Sequence, residues 1–370
     1  MSADRPVVRA IVRDLGRTGV PIALARMATW PGTADAIDLH VVARDDGPLG
    51  AELERQGIRV VVLEPGERRS IPSLIAAGAA HLRRPEPGAA VQGAAWRFRV
   101  RPLPRPDAVL VQGAGAWPIA MALGHHPGPR VAVHLHELAI GLRRSVDRAE
   151  LAALAAVPVV LAVSGPVAAL ARRIGIPEDR IRIVPGTVAA EAPLPAGTDH
   201  LVSIGEAGWR KGTDRAIAAA YELGRRDPQR RWHWIGREPE PGWAYAAGTD
   251  VPVSFHAPVS DPWTLVPDLA ALVVPSREDA LPLVALEAGA RGVPVVACRG
   301  SGGLDELLAE GRGWLVDAAD PAELAIAAIE AATSDRSGRA DALRDHILRC
   351  HSADAVAPRW LEAIVDAARS

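Results

Sequence analysis

At 370 residues the chain exceeds one ordinary core, and its length favours two domains of roughly 150–200 residues. Apolar residues at 49% and charged residues at 23% allow each half a normal core, while a formal net charge of −2 argues against nucleic acid as a partner. The two cysteines, Cys298 and Cys350, lack metal-ligand or C-x-x-C spacing and read as buried or incidental thiols of a reducing compartment.

Met1 to Arg13 lacks the basic-then-apolar layout of a signal peptide. No apolar run reaches the ~18 residues of a membrane span, and the longest candidate, Leu151 to Val163, is broken by Pro158. The expectation is a cytoplasmic protein, free to sit at the inner membrane surface. Of the 42 Lys and Arg residues, Lys211 alone is lysine. Arg and Ala enrichment fits a high-GC genome, in which a surviving lysine is a candidate for a role that needs lysine.

Short apolar runs alternate with helical patterns from end to end, the signature of parallel α/β architecture. The first half predicts strands at Val7–Val12, Asp38–Val42, Ile58–Leu63, Ala108–Val111, Arg130–His134, Val159–Val163 and Ile181–Val184. The second predicts them at His200–Ile204, Arg231–Ile235, Val253–His256, Ala271–Val274, Pro294–Ala297 and Trp314–Val316. Their Val, Ile and Leu content marks burial on both faces. The polar, Pro-bearing stretch Pro185–Thr198 separates the two series. The expected organisation is a Rossmann-like domain over 1–187, a second over 188–350, and a terminal helix within 351–370. That helix, Ala355–Ala368, carries Trp360, Leu361 and Ile364 at helical spacing and is expected to return to the first domain. Ligands of open α/β sheets bind at the carboxyl ends of strands, which predicts a site in a central cleft faced by both domains.

In the first domain, the first strand leads into Gly16-Arg17-Thr18-Gly19-Val20-Pro21, whose glycines let backbone approach a ligand. The loop is neither G-x-G-x-x-G nor a P-loop, so NAD and ATP binding are not supported. The segment Leu82 to Arg105 interleaves Arg83, Arg84, Arg97, Arg99, Arg101 and Arg105 with Trp96, Phe98 and several prolines. It reads as a solvated, irregular connection, or else as a surface meeting anionic lipid or an acidic acceptor. His136 follows the strand ending at His134, at its carboxyl end.

In the second domain, strand His200–Ile204 runs into a Gly-containing turn and then Arg210-Lys211-Gly212, with a helix expected from Thr213. Two cations beside a helix N-terminus suit a leaving diphosphate, although two exposed basic residues are the blander reading. Strand Ala271–Val274 leads to a turn with Asp279 near its tip; Pro282 suits the first turn of a helix ending near Gly292. Amides around Leu281–Val284 then form an anion site, and Glu287 on the second helical turn can accept from sugar hydroxyls. The bland readings are an N-cap for Asp279 and a solvated helix residue for Glu287.

These residues in this order resemble the retaining glycosyltransferases of family 4, with the two-domain GT-B fold. The resemblance runs through GRTGVP (Gly16–Pro21), LHE (Leu135–Glu137), VSGPV (Val163–Val167), WRKGTD (Trp209–Asp214), SREDALPLVALEA (Ser276–Ala288), GVPVVA (Gly292–Ala297) and GGLDEL (Gly302–Leu307). It implies that Lys211, helped by Arg210, contacts a donor diphosphate and that Glu287 holds the nucleotide ribose. Asp279 takes the first acidic position of the family's E-x7-E pattern. Glu278, Ala280, Leu281, Pro282, Leu283 and Val284 line the donor sugar and phosphate, Gly19 lies against the diphosphate, and His136 sits near the transferred sugar. Two positions depart from the pattern: Asp279 stands where the family has Glu, and Glu206 where many members have Arg. A Glu aimed at a diphosphate is repulsive, so either Arg210 replaces the missing cation or the loop turns Glu206 away.

The implied reaction moves a sugar from a nucleoside-diphosphate sugar to a glycan, lipid-linked or small-molecule acceptor with retained anomeric configuration. No D-x-D pattern suits a divalent metal, so no metal or other cofactor is expected. The rival readings are a nucleotide-sugar epimerase or hydrolase on the same fold, a non-catalytic sugar-nucleotide-binding partner subunit, and a periplasmic-type binding protein, against which the missing signal peptide counts.

Overall fold

Near-continuous apolar strands can be satisfied only when helices cover both sheet faces, and both halves of the chain fold that way. The computed structural model describes residues 5–66, 85–238, 242, 253–317, 320–333 and 338–369. The chain divides into two compact units, Met1–Thr187 with Ala353–Ser370, and Val188–Ser352.

In the first unit seven parallel strands, β1 (Val7–Asp14), β2 (Asp38–Asp45), β3 (Arg59–Glu64), β4 (Ala108–Gln112), β5 (Val131–Leu135), β6 (Val159–Ala162) and β7 (Ile181–Ile183), lie in the order β3-β2-β1-β4-β5-β6-β7. Every residue of β4 and β5 is buried. Val8 pairs with Leu39 on one side and Ala108 on the other, so the strand order reverses between β1 and β4. The helix Ala353–Arg369 belongs to this unit: Val356, Trp360 and Ile364 are fully buried with Val8, Leu24, Leu110 and Leu161. Its ends are tied by Trp30 Nε1 donating to Asp354 at 2.7 Å and by Arg182 paired with Asp366 at 3.0 Å.

The second unit has six parallel strands, β8 (His200–Ile204), β9 (Arg231–Ile235), β10 (Val253–His256), β11 (Leu269–Val274), β12 (Val295–Cys298) and β13 (Trp314–Val316), ordered β10-β9-β8-β11-β12-β13. Reversal here falls between β8 and β11. One face carries Trp232, Trp234, Ala216, Leu223 and Leu324. The other carries Val202, Leu272, Leu286, Val295 and Leu343. Each sequence-predicted strand is present, with ends shifted by at most a few residues. Among the described residues no helix is long and apolar enough to cross a membrane.

Leu82–Arg105, read as an irregular connection, instead contains the 16-residue helix Pro85–Val100. Pro85 and Pro87 lie in its first turn, where a helix tolerates them, Pro102 and Pro104 fall beyond its end, and its interior is rich in alanine. Trp96 and Val100 are buried, with Leu103 just beyond the helix also buried. Phe98 is 73% exposed beside Arg97 and Arg99. Arg83 and Arg84 lie outside the described residues.

Several histidines are held neutral by this architecture. Burial pushes His134, on β5, down to about 4, although its Nε2 lies 2.9 Å from the Val184 carbonyl. Burial, with Arg9 and then His126 nearby, pushes His125 down to about 4. In the second unit His200, His233 and His256 form a ladder across β8, β9 and β10, with ring nitrogens 2.9 Å apart at each step. Burial, then His200 and His256, push His233 down to about 4. A folded-state pKa below the ordinary 6.5 contributes stability that is complete above 6.5 and lost as pH falls towards about 4. The urea midpoint should therefore drop between pH 7 and pH 5, and His233→Gln should reduce that drop; a midpoint unchanged over this range would contradict the assignment.

Candidate active site

In the second unit the loops after β8 and β11 meet where the strand order reverses, the position at which open α/β sheets bind ligands. The first loop ends at Gly212, whose φ of 76° favours glycine and where a Cβ would stand 2.0 Å from the Pro275 carbonyl oxygen. That close approach locks the first loop against the second. Helix Thr213–Arg226 follows directly, and Thr213 Oγ1 accepts from the Gly208 amide at 2.8 Å.

The second loop is stitched to a third. The Asp279 amide donates to the Ser301 carbonyl at 2.7 Å, and the Gly303 amide donates to the Asp279 carbonyl at 3.1 Å. A Cβ on Gly303 would meet the Ala280 carbonyl oxygen at 2.1 Å. Asp279 is only 8% exposed. It is neither the tip of a solvated turn nor an N-cap, because this backbone bridge draws it inward.

The charges interlock across the two loops. Lys211 Nζ lies 2.5 Å from Asp279 Oδ2, to which Ser276 Oγ also donates at 3.3 Å. Arg210 donates to the Glu278 carbonyl at 2.9 Å, and its own carbonyl accepts from the Arg277 amide at 2.8 Å. Arg210 and Lys211 are thus tethered rather than two free cations in a loop. Arg277 pairs with both oxygens of Asp214 at 2.6 Å and stacks 4.6 Å over the Trp209 ring. Burial works against the Asp214 carboxylate, but Arg277 holds its pKa below the ordinary value. A cavity of about 360 Å³ opens beside this pair, lined in part by Arg215, Asp320 and Leu324; Lys211 and Asp279 do not line it. Glu206 turns towards β9 and pairs with Arg237 at 2.5 Å.

Helix Leu283–Ala290 begins one residue later than the sequence implied, with Pro282 as its N-cap in extended conformation. The Pro282 carbonyl accepts from the Ala285 amide at 3.0 Å. Leu283 and Val284, the first two helical residues, are half-buried and head the helix. Glu287 lies half-buried on the next turn, and Ala280 and Leu281 form the approach to the helix.

The first unit holds the other two candidates. Gly19 opens helix Gly19–Ala28 at the carboxyl end of β1, is exposed, and among the described residues has no atom within 4 Å of an added Cβ. His136 lies just beyond β5 with Nε2 2.9 Å from Gln112 Nε2 and its ring 4.3 Å from that of His134. Burial, then His134, push its pKa well below 6.5, so it is a neutral hydrogen-bonding group at pH 7. Its neighbour Glu137 accepts from the Ala114 amide at 2.9 Å and from the His136 amide at 3.0 Å. Lys211, Arg210, Asp279 and Glu278 are therefore brought together in one unit, while Gly19 and His136 belong to the other. Arg277, Trp209, Arg237 and Gln112 join these sites without having been singled out in the sequence.

The family model for group 1 glycosyl transferases matches residues 198–334, and that for glycosyltransferase family 4 matches residues 49–191. The chain belongs to the family 4, group 1 glycosyltransferases. It is similar to a D-inositol 3-phosphate glycosyltransferase of Arthrobacter sp. (strain FB24), 45% identical over 107 residues, 26% of this chain and 25% of the relative. D-inositol 3-phosphate glycosyltransferase 2 of Catenulispora acidiphila is 35% identical over 172 residues, 41% of this chain and 40% of the relative. The matched stretches thus span well under two thirds of either relative. Among solved structures, Anabaena HepE in complex with UDP-glucose superposes with a TM-score of 0.74 at 17% identity, covering 98% of this chain and 100% of that one. The lipopolysaccharide outer core galactosyltransferase WaaB, in its apo form, gives 0.67 at 14% identity, covering 97% and 99%. At these identities the superpositions establish the GT-B fold.

The largely buried Lys211–Asp279 pair generates a stability prediction. Lys211→Ala leaves a carboxylate without its cation and should cost the second unit on the order of 3 kcal/mol. Lys211→Ala/Asp279→Ala removes both charges and should recover most of that loss in urea unfolding. A double variant no more stable than the single would show that the pair is not the constraint.

Proposed function

We propose that the chain is a retaining glycosyltransferase that moves a sugar from a nucleoside-diphosphate sugar to an acceptor hydroxyl. The observation that carries this reading is the chain's single lysine, fixed 2.5 Å from Asp279 where the strand order reverses, beside the start of helix Leu283–Ala290. The partial positive charge of that helix end favours a phosphate, and Lys211 and Arg210 add full charges beside it. Glu287, one turn further along, takes the ribose hydroxyls of the donor.

In the reaction the bond from the anomeric carbon to the diphosphate oxygen breaks, and both its electrons leave with the diphosphate. Negative charge grows there in the transition state, so Lys211, Arg210 and the helix amides bind that state more strongly than the ground state. The acceptor oxygen forms the new bond on the same face, and its proton passes to the departing phosphate oxygen. No protein group is required as general base. His136, in the first unit, is held neutral at pH 7 and is no proton shuttle in this account. Charge neutralisation by side chains and amides makes a divalent metal unnecessary in this account.

UDP and UDP-glucose are bound by the Anabaena neighbour, and a nucleoside diphosphate of this kind is the donor portion proposed here. Transfer, as opposed to epimerisation or hydrolysis, requires that turnover of the donor depend on an acceptor. In a thermal-shift panel of UDP, GDP, ADP and TDP, the donor's nucleotide should raise the melting temperature most, since a ligand of the folded state stabilises it. With the matching sugar nucleotide, Glu287→Ala and Lys211→Ala should each lower kcat/KM by at least about a hundredfold. Full activity in either variant would overturn the site assignment.

A further inference from the structure

Glu206 stands where the family resemblance calls for arginine, and an uncompensated carboxylate there would repel a diphosphate. We infer that Arg237 supplies the missing cation, binding the donor diphosphate from the loop after β9, and that Glu206 positions its guanidinium for this task. The inference rests on the donor reading proposed above.

The backbone fixes the two residues side by side. The Gly205 amide donates to the Ile235 carbonyl at 2.9 Å, and the Ala207 amide donates to the Arg237 carbonyl at 2.8 Å. A Cβ on Gly236 would lie 1.9 Å from the Gly205 carbonyl oxygen, so the loops after β8 and β9 touch main chain to main chain. On the other side of Gly205, Lys211 Nζ comes within 3.9 Å of where a glycine Cβ would stand. Lys211 thus lies beside Gly205, and Arg237, just after β9, pairs with the next residue, Glu206.

Three other cations of these loops are held by protein groups. Lys211 is on Asp279, Arg210 on the Glu278 carbonyl, and Arg277 on both Asp214 oxygens with Trp209 beneath it. Arg237 pairs with Glu206 through one nitrogen, with the side chains 71% and 50% exposed. An ion pair so exposed adds little to stability, so its arginine can turn to a phosphate at small cost. A guanidinium also offers forked donors that suit phosphate oxygens. The chain thus places on β9's loop the charge that the family resemblance calls for on β8's.

The test titrates UDP, GDP, ADP and TDP, with the matching monophosphates, against wild type, Arg237→Ala and Arg237→Ala/Glu206→Arg. For the diphosphate that binds wild type, Arg237→Ala should weaken affinity about tenfold, against at most about twofold for the monophosphate. The double variant should return to within about threefold of wild type, since it restores the cation from the β8 loop. All variants should keep the wild-type melting temperature, which separates binding from folding. If Arg237→Ala binds the diphosphate as wild type does, or loses mono- and diphosphate equally, Arg237 is not the diphosphate cation. Wild type that binds none of the four overturns the donor reading and this inference with it.

Discussion

The contact between Lys211 and Asp279 is the constraint around which the second unit's site is arranged. A lysine and a carboxylate 2.5 Å apart and mostly out of water hold each other only if their backbones are fixed first. Gly212 provides the approach to Pro275, and Gly303 the approach to Ala280. The Asp279–Gly302 bridge then clamps the carboxylate-bearing loop from below. Each approach is closer than any side chain allows, so glycine there is a geometric requirement. The result is a cation whose position is set before any ligand arrives, the preorganisation that electrostatic catalysis needs.

Around that pair the charges are balanced locally. Arg277 answers Asp214, Arg237 answers Glu206, and Lys211 answers Asp279. An incoming diphosphate must compete with these carboxylates for their cations. The competition is uneven. Arg277 is braced by an aromatic ring and two oxygens, whereas Arg237, at the surface, has one side-chain partner among the described residues. Exposure and bracing therefore rank which cations can be recruited.

The strands were legible in the sequence because burial on both faces leaves an unmistakable apolar run, and all seven and six of them are present. Lys211 and Asp279 were legible as candidates, but their mutual contact was not. They are separated by 68 positions, and only the adjacency of β8 and β11 brings them together. The same reason hid Arg277, Arg237 and Gln112, whose partners sit on neighbouring strands rather than neighbouring positions. In Leu82–Arg105 the terminal prolines drew attention from the alanine-rich interior that makes it helical. At Pro282 the missing amide suited a first turn, yet the backbone there is still extended and the helix starts one residue on. Glu206 looked like a liability because the sequence gives no hint that Arg237 stands opposite it.

A single lysine makes the central claim open to direct observation. In protein biosynthetically labelled with 15N at the lysine side chain, Lys211 Nζ is the one labelled ammonium. Its resonance should shift on saturation with whichever of UDP, GDP, ADP or TDP stabilises the fold, because a phosphate oxygen joins Asp279 beside Nζ. A resonance unmoved by a nucleoside diphosphate that demonstrably binds would contradict the placement of the diphosphate at Lys211.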